Sequence, residues 1–217
     1  MASQQEPYYT PEQYLAFERE AEGRHEYLDG RIYAMTGGST NHARLIGNVH
    51  AELRAQLRGR PCDAFYTQLR ARDNTLDLVT CPLVSAVCGE PEFASERDGI
   101  LLNPTVLVEV LSPSTERYDR GEKFRHYRRI PSLREYVLVS QEWMHVERFA
   151  RDDADPARWV LAEASGPAGE IELPSIGCTL RLRDVYERAD VPATPPVRVI
   201  REPDAIIASY GAVHASA

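Results

Sequence analysis

A strand, helix and strand pattern in the middle of the chain constrains the fold most. Residues 105–111 (TVLVEVL) are apolar and mostly β-branched or leucine, which is typical of a buried strand. The SPST sequence at 112–115 interrupts that strand and can cap a helix continuing to about residue 129, and residues 135–140 (EYVLVS) predict another buried strand. A helical crossover allows the two strands to lie parallel, so the pattern predicts a βαβ-like unit.

The segments around this unit predict an α+β protein with a mixed sheet flanked by helices. Thr10 and Gln13 bracket Pro11 as a capping box, which predicts a helix to about residue 22. Asp29-Gly30 divides an alternating stretch at 25–35 and predicts a hairpin. Apolar residues recur every fourth position in a predicted helix over about 41–58, so its apolar stripe must lie on a sheet. The further predicted strands are at about 62–72, 76–88, 144–150, 157–164 and 178–183.

Length and composition predict one domain. With 217 residues and 43% apolar residues, the chain can bury one sizeable core, which we place in residues 1–193. Residues 194–217 are rich in proline and alanine and are expected to form a weakly structured tail. No apolar run reaches the length of a membrane span, and the N-terminus lacks the features of a secretion signal. We therefore expect a cytoplasmic protein without a membrane partner.

The four cysteines form neither a CxxC pair nor a cysteine and histidine pattern with metal-ligand spacing. Their spacing argues against a zinc site and against a disulfide framework. We expect buried free thiols.

The distribution of charge predicts where nucleic acid would bind. The chain carries a net charge of −8, the wrong overall sign for a nucleic-acid partner. Residues 116–134 nevertheless contain seven basic and three acidic residues, a local net charge of +4 against −12 for the rest. We expect DNA phosphates to face this helix, although a charged helix can also be a merely solvated surface. The predicted nucleic-acid-facing residues are Arg117, Arg120, Arg125 and Arg128.

Two charged residues are candidates for chemistry. Glu109 shares its strand face with Leu107 and Leu111, where a carboxylate is costly unless it is paired or bound to a cation. An arginine pair at the sheet edge is one explanation, and oxygen ligation of Mg²⁺ is the better one. Lys123 follows fourteen positions later, so a helix returning over the sheet can bring it back beside the strand. The alternative for Lys123 is a solvated side chain.

Several motifs, taken together, resemble one protein family. They are HEYLDGRIYAM in the hairpin, SxNHxxxxGNxxxxL in the second helix, CGEPEF at 88–93, the whole of 103–141, and ELPSIGCTLRLRDVYE near the end. They are similar to the Uma-type restriction endonuclease family of the PD-(D/E)XK nuclease superfamily, over roughly residues 9–187. The resemblance implies a restriction endonuclease-like core of helix, three strands, helix and strand. It also implies an acidic pair that binds Mg²⁺ or Mn²⁺ and a lysine that polarises the attacked phosphate.

Glu109 matches the second acidic position of that family and is the implied metal ligand. The lysine usual two positions later falls on Leu111, so Lys123 is the implied replacement, supplied by the helix. In this interpretation Glu109 and Lys123 are the catalytic residues. Glu26 and His42 match family positions that border the site, although a strand pair and a helix-start or packing role explain them as well. Ser112 and Ser114 lack a nucleophile-elbow sequence and are expected to serve a cap or turn.

One position departs from the family pattern. Leu83 stands where relatives carry the first metal-binding aspartate, and leucine has no lone pair to offer a cation. One carboxylate plus waters predicts Mg²⁺ or Mn²⁺ binding that is weak or absent. Asp77 is the nearest upstream acid, but six residues of extended strand span about 20 Å. Asp77 therefore cannot replace the aspartate without a large change of register.

The sequence leaves three functional hypotheses open. The first is a metal-dependent DNA endonuclease, and the second is a catalytically impaired relative that binds nucleic acid or a protein partner. The third is that Leu83 was introduced by mutation or error into an active enzyme. The oligomeric state, a homodimer included, and the DNA sequence preference are not determined by the sequence.

Overall fold

The structure is a computed structural model that describes residues 7–35, 38–66, 69–72, 78–95 and 98–196. Hydrogen-bonded strands make up most of its regular secondary structure. The strands are β1 (His25–Leu28), β2 (Arg31–Ala34), β3 (Cys62–Tyr66), β4 (Arg70–Arg72), β5 (Leu78–Thr80), β6 (Val84–Cys88), β7 (Phe93–Ser95), β8 (Ile100–Leu101), β9 (Val106–Val110), β10 (Glu135–Val139), β11 (His145–Arg151), β12 (Trp159–Ser165), β13 (Glu170–Leu173) and β14 (Cys178–Arg181). The helical segments are α1 (Pro11–Glu20), α2 (Thr40–Leu57), α3 (Glu116–Tyr118), a π-helical turn (Asp119–Lys123), α4 (Phe124–Tyr127) and α5 (Leu182–Val185).

The strands form two six-stranded sheets and a hairpin. The first sheet has the order β2-β1-β5-β4-β8-β7, the second has the order β12-β11-β10-β9-β6-β3, and β13 pairs with β14. In the second sheet β9 and β10 are parallel, whereas β6 and β9 are antiparallel. The α+β class and the mixed sheet predicted from the sequence are therefore confirmed, and so is the parallel pair on either side of the helical crossover.

Local signals in the first third of the chain are also confirmed. Thr10 and Gln13 form the complete capping box at the start of α1. Asp29 and Gly30 both have positive φ, 45° and 81°, as the tight turn between β1 and β2 requires. The apolar side chains spaced four apart in α2 are buried against the second sheet.

The predicted strands at 62–72 and 76–88 differ from the structure. Each is divided into two shorter strands that belong to different sheets: β3 and β6 lie in the second sheet, β4 and β5 in the first. Pro82 lies in the break between β5 and β6 and has no N–H to donate to a ladder. The chain therefore crosses there from one sheet to the other.

The predicted crossover helix begins at Glu116 and is irregular. Its middle, Asp119–Lys123, is a π-helical turn between α3 and α4. We call α3, the π-helical turn and α4 together the crossover helix. A π-helical turn widens the helix by one residue, and such turns occur often at functional sites.

The expectation of four free thiols was wrong. Cys62 and Cys88 form a disulfide, while Cys81 and Cys178 are free and buried. The physical reason is the register between β3 and β6, which places Cys62 directly opposite Cys88. The two cysteines are 26 positions apart, so their spacing in the sequence gives no sign of this pairing.

The core lies on both faces of the second sheet. Val106, Val108 and Val110 of β9 pack toward α2, whereas Leu107 packs toward the crossover helix with Tyr127. Glu109 shares the face of Leu107, so its carboxylate points to the crossover-helix side. None of the helices in the described part of the chain is long and apolar enough to span a lipid bilayer.

Two expectations concern residues outside the described ranges. Asp77 lies outside them, and so does most of the expected C-terminal tail, residues 197–217. The domain boundary at residue 193 stays a prediction.

Candidate functional site

Glu109 and Lys123 form a buried ion pair where the crossover helix passes over the second sheet. The ammonium nitrogen Nζ of Lys123 lies 2.8 Å from Oε1 of Glu109, and neither side chain is more than 5% exposed. The Tyr127 hydroxyl donates a second hydrogen bond to the same oxygen, at 2.9 Å. The structure thus places Lys123 beside Glu109, as the sequence predicts, and no arginine takes that position among the described ion pairs.

Glu26 enters the cluster from the first sheet. Its Oε1 lies 3.0 Å from Lys123 Nζ and accepts hydrogen bonds from the Thr80 hydroxyl and from the backbone N–H of Cys81 at 3.0 Å. Glu26 is therefore part of the charged cluster, between the two sheets, rather than only a residue on its border. Its prediction as a neighbour of the site is consistent with this position.

Asp119 is the member of the cluster that the sequence reasoning missed. It is 3% exposed, and its Oδ1 lies 3.5 Å from Lys123 Nζ. Asp119 and Lys123 are the first and last residues of the π-helical turn, and both point into the protein. The available signal was their separation of four residues, which places two side chains on one helix face, but an acidic residue in a charge-rich helix is usually solvated.

The cluster combines one ammonium with three carboxylates in a region of little water. Burial raises the pKa of Glu109 to about 8, against the opposing effect of the Lys123 charge, and Asp119 and Glu26 raise it further. Burial also raises the pKa of Asp119. The pKa of Lys123 is raised because the attraction of Glu109 and Glu26 exceeds the cost of its burial. Lys123 is therefore a permanent cation, and an added cation would favour ionised Glu109.

Leu83 lies opposite Glu109 when the register of the neighbouring strand is extended. Val84 of β6 pairs with Val108 of β9 in an antiparallel ladder, so the next pair is Leu83 with Glu109. The two residues line the same cavity. The geometry agrees with the family register, which puts an apolar side chain where the first aspartate is expected.

A cavity of about 410 Å³ opens beside the cluster. Glu26, Glu109, Asp119 and Lys123 line it, together with His42 and Tyr118. Nε2 of His42 lies 3.1 Å from the backbone oxygen of Val110. Burial lowers the pKa of His42, so a neutral imidazole lines the cavity. Ser112 has a turn role as predicted, because its hydroxyl accepts the N–H of Thr115.

Tyr118 offers an unused polar group to this cavity. Its hydroxyl is buried and has no hydrogen-bond partner among the described residues. A buried hydroxyl without a partner is costly, so a ligand oxygen or an ordered water is the natural partner here. The polar wall of the cavity thus contains a hydroxyl and an ammonium as donors beside carboxylate acceptors.

Three carboxylates surround the ammonium of Lys123. Their oxygens surround Lys123 Nζ at distances of 3.0, 2.8 and 3.5 Å. Mg²⁺ commonly takes one or two protein carboxylates and completes its shell with water and substrate oxygens. Oε1 of Glu26 already has three donors, so Glu26 is the carboxylate least available to an added cation.

The four arginines predicted to face nucleic acid occupy different environments. Arg117 and Arg128 are exposed, and the guanidinium of Arg128 lies over the Phe124 ring at 5.2 Å. Arg125 is half exposed and 3.4 Å from Asp29. Arg120 pairs with Glu116 and Glu147, so its charge is already compensated. The outer surface of the crossover helix is therefore basic mainly at Arg117, Arg125 and Arg128.

The two sheets, the crossover helix and the charged cluster define an α+β protein with a restriction endonuclease-like fold. Residues 11–185 match the model of the Uma2 family, described as "Putative restriction endonuclease". The chain belongs to this family, which confirms the resemblance seen in the sequence.

Three proteins from Synechocystis and Anabaena variabilis are similar to this chain. The protein slr1290 of Synechocystis is 36% identical over 181 residues, covering 83% of this chain and 92% of the relative. A second Synechocystis protein, sll1609, is 32% identical over 163 residues, covering 75% and 91%. A crystal structure from Anabaena variabilis, titled as a putative nuclease belonging to DUF820, covers 82% of this chain and 97% of its own with a TM-score of 0.66. Its sequence identity is 18%, so this similarity shows the fold.

Proposed function

We propose that this protein is a metal-dependent endonuclease that hydrolyses phosphodiester bonds in DNA. The observation that carries the proposal is the convergence of Glu109, Asp119, Glu26 and Lys123 at one wall of a cavity of about 410 Å³. Buried acidic groups with raised pKa values beside a buried lysine, in a cleft, are typical of catalytic sites. Membership of a family described as restriction endonucleases supports the reaction class.

Glu109 and Asp119 are the proposed metal ligands, with Mg²⁺ or Mn²⁺ as the ion. Asp119 would supply from the crossover helix the second carboxylate that Leu83 does not provide. When bound, such an ion lowers the pKa of water and stabilises negative charge on the attacked phosphate. The raised pKa of Glu109 is then no obstacle, because a ligand cation favours the carboxylate form.

Lys123 is the proposed group that contacts the phosphate. Two of its three N–H donors are directed to Glu26 and Glu109, and its contact with Asp119 is longer, at 3.5 Å. A phosphate oxygen in the cavity would replace this longer contact, where little water competes. Glu26 would hold the ammonium in place, and the Tyr118 hydroxyl would donate to another phosphate oxygen. Arg117, Arg125 and Arg128 would contact the DNA backbone outside the cavity.

A catalytically impaired protein that binds nucleic acid or a protein partner is the second candidate. Leu83 opposite Glu109 favours it, because the strand pair that usually carries both acidic ligands here carries one. The two candidates differ in one respect, the ability of Asp119 to complete the metal site. Both keep the basic surface.

The test is cleavage of supercoiled plasmid DNA in Mg²⁺ and in Mn²⁺. The endonuclease hypothesis predicts nicking by the parent and a loss of at least about 100-fold in Glu109→Gln, Asp119→Asn and Lys123→Met. Glu172→Gln, at an exposed position on β13, is the control and should cut as the parent does. All variants should be purified identically so that a contaminating nuclease is recognised by equal activity in each preparation.

Cleavage and DNA binding in EDTA, measured on the same preparations, together separate the two candidates. Binding without cleavage in either metal, with no change in Asp119→Asn, supports the impaired protein. Cleavage that Asp119→Asn leaves intact would remove Asp119 from the metal site.

A further inference from the structure

A second group of possible metal ligands lies on β11 and β12, outside the cavity. The antiparallel register places Glu147 opposite Glu163 and His145 opposite Ser165. His145 and Glu147 are two residues apart on β11, so their side chains share one face of the sheet with Glu163. The three side chains are brought together by strand pairing and not by proximity in the sequence.

The distances within this group are too long for hydrogen bonds and close to those between the ligands of a metal ion. Nε2 of His145 lies 3.9 Å from Oε1 of Glu147 and 4.0 Å from Oε2 of Glu163. Both distances exceed the range of about 2.7–3.2 Å for an N–H···O hydrogen bond. Two atoms that each bond a tetrahedral metal at about 2.1 Å lie about 3.4 Å apart, so both contacts would shorten by about 0.5 Å when a metal binds. The ligand atoms of the three residues lie within 4.8 Å of one another, so small side-chain rotations of Glu147 and of the exposed Glu163 would complete the site.

The imidazole of His145 is held in place by its neighbours. Its Nδ1 lies 3.0 Å from the Ser165 hydroxyl, and its ring stacks on Trp143 with centroids 4.4 Å apart. When Ser165 accepts a hydrogen bond from Nδ1, the lone pair of Nε2 is directed to the two carboxylates. Metal-binding histidines are commonly oriented by such a hydrogen bond to the other ring nitrogen.

Glu147 is held from the opposite side. Its second oxygen, Oε2, pairs with the guanidinium of Arg120, which also contacts Glu116 at 2.8 Å. Oε1 therefore remains directed to His145 while Oε2 is occupied. Two of the three ligands, His145 and Glu147, thus have supporting contacts and are nearly buried, as in a prepared site.

We propose that His145, Glu147 and Glu163 bind a divalent transition metal of the Zn²⁺ class, at a site separate from the Glu109 cluster. One imidazole and two carboxylates favour such an ion over Mg²⁺ or Ca²⁺, which prefer oxygen ligands alone. Arg120 follows Asp119 in the chain, so a metal held by Glu147 also fixes the outer contact of the π-helical turn. The role of this site is therefore to stabilise the crossover helix where it meets β11.

The test is Zn²⁺ titration by calorimetry, using tag-free protein in excess Mg²⁺. The parent should bind one Zn²⁺ per chain, and Glu163→Gln should weaken binding at least about tenfold. Glu163 suits this substitution because its side chain is 61% exposed, so the fold tolerates its neutralisation. Glu170→Gln, at a similarly exposed strand position (60%), is the matched control and should bind as the parent does.

Two further measurements make the assignment specific. Glu109→Gln should retain Zn²⁺ binding, which separates this site from the buried cluster and from the proposed nuclease activity. Saturable quenching of tryptophan emission by Co²⁺ should occur in the parent and be absent in Glu163→Gln, because Trp143 stacks on the ligand His145. The proposal is overturned by absent Zn²⁺ binding in the parent, by unchanged affinity in Glu163→Gln, or by loss of binding in Glu109→Gln.

Discussion

The ammonium of Lys123 lies 2.8 Å from the carboxylate of Glu109, with side chains only 5% and 4% exposed. Desolvation makes such a pair expensive to assemble, and removal of one partner leaves the other charge uncompensated in the protein interior. A buried pair with two additional carboxylates nearby adds little to stability in itself. Its position beside the cavity is better explained by the binding of a phosphate and a cation.

Lys123→Met tests this relationship in metal-free protein. We expect the free energy of unfolding at pH 7.5 to fall by about 3–5 kcal/mol, because Glu109 without the ammonium must take up a proton at a pH well above its ordinary pKa of 4.5. The double variant Lys123→Met/Glu109→Gln should recover part of the loss, since the neutral amide removes the cost of protonating Glu109. Urea denaturation in EDTA measures both effects. Arg117→Met, at an exposed position on the same helix, should change stability by less than about 0.5 kcal/mol.

The stability of the metal-free protein should decrease as the pH rises. The pKa of Glu109 in the folded protein is about 8, above its ordinary value of 4.5, because burial disfavours the charged form. The folded state therefore binds more protons than the unfolded state between these values. The contribution of Glu109 to the free energy of unfolding is therefore largest below about pH 4.5. It decreases as the pH rises from about 4.5 to about 8.

Glu109→Gln provides the control for this pH dependence. Its amide cannot ionise, so the slope of unfolding free energy against pH should flatten between about 5 and 8. Each unit of pKa shift corresponds to 1.36 kcal/mol, so the difference across the window is at most about 5 kcal/mol. Equal slopes in the parent and Glu109→Gln would assign the pH dependence to other groups, such as Asp119, whose pKa is also raised.

Local sequence patterns predicted the parts of this fold that depend on neighbouring residues. The capping box at Thr10, the turn at Asp29-Gly30 and the apolar stripe of α2 each follow from contacts within a few positions. The assignment of strands to two sheets does not, because it depends on which distant strand pairs with each edge. The Cys62–Cys88 disulfide was missed for the same reason.

The sequence predicts a site residue where a charged side chain interrupts an apolar, buried segment. Glu109 stands out because it interrupts an apolar strand, and Lys123 was placed beside it by the resemblance to the family. Asp119 could not be distinguished from the other acids of its charged helix, since only the π-helical turn shows that it points inward. His145, Glu147 and Glu163 come together through strand register, which the sequence does not specify.

Charge reversal of Arg125 and Arg128 tests the basic surface of the crossover helix. Arg125→Glu/Arg128→Glu should weaken DNA binding and reduce the slope of log affinity against log salt by about 2, one unit for each phosphate that is no longer neutralised. Arg54→Glu/Arg58→Glu is the matched control, because these exposed arginines lie near the end of α2, on the opposite face of the second sheet. Fluorescence anisotropy with a labelled duplex at several salt concentrations gives both quantities. Similar reductions in the two double variants would exclude the crossover helix as the specific DNA-binding surface.

Leu83→Asp tests the register between β6 and β9 together with the metal site. Extension of the β6–β9 register places position 83 opposite Glu109, so an aspartate there should place a second carboxylate beside it. Without metal, like-charge repulsion and burial should lower the melting temperature. With Mg²⁺ or Mn²⁺ the loss should reverse, because a cation that binds only the folded state stabilises it by mass action.

Leu83→Asn separates coordination by a carboxylate from a change of shape. Asparagine has nearly the same volume as aspartate but no negative charge, so its melting temperature should respond to metal far less. Thermal unfolding at 0 and 10 mM Mg²⁺ and plasmid nicking, measured on the parent and both variants, therefore distinguish three results. A metal-dependent rise of several degrees and faster nicking in Leu83→Asp alone support the acidic pair. If metal raises the melting temperature of the parent and of Leu83→Asp equally, and nicking is also equal, Asp119 already completes the site. If Leu83→Asp is folded and metal does not change its melting temperature, the assignment of Glu109 as a metal ligand is contradicted.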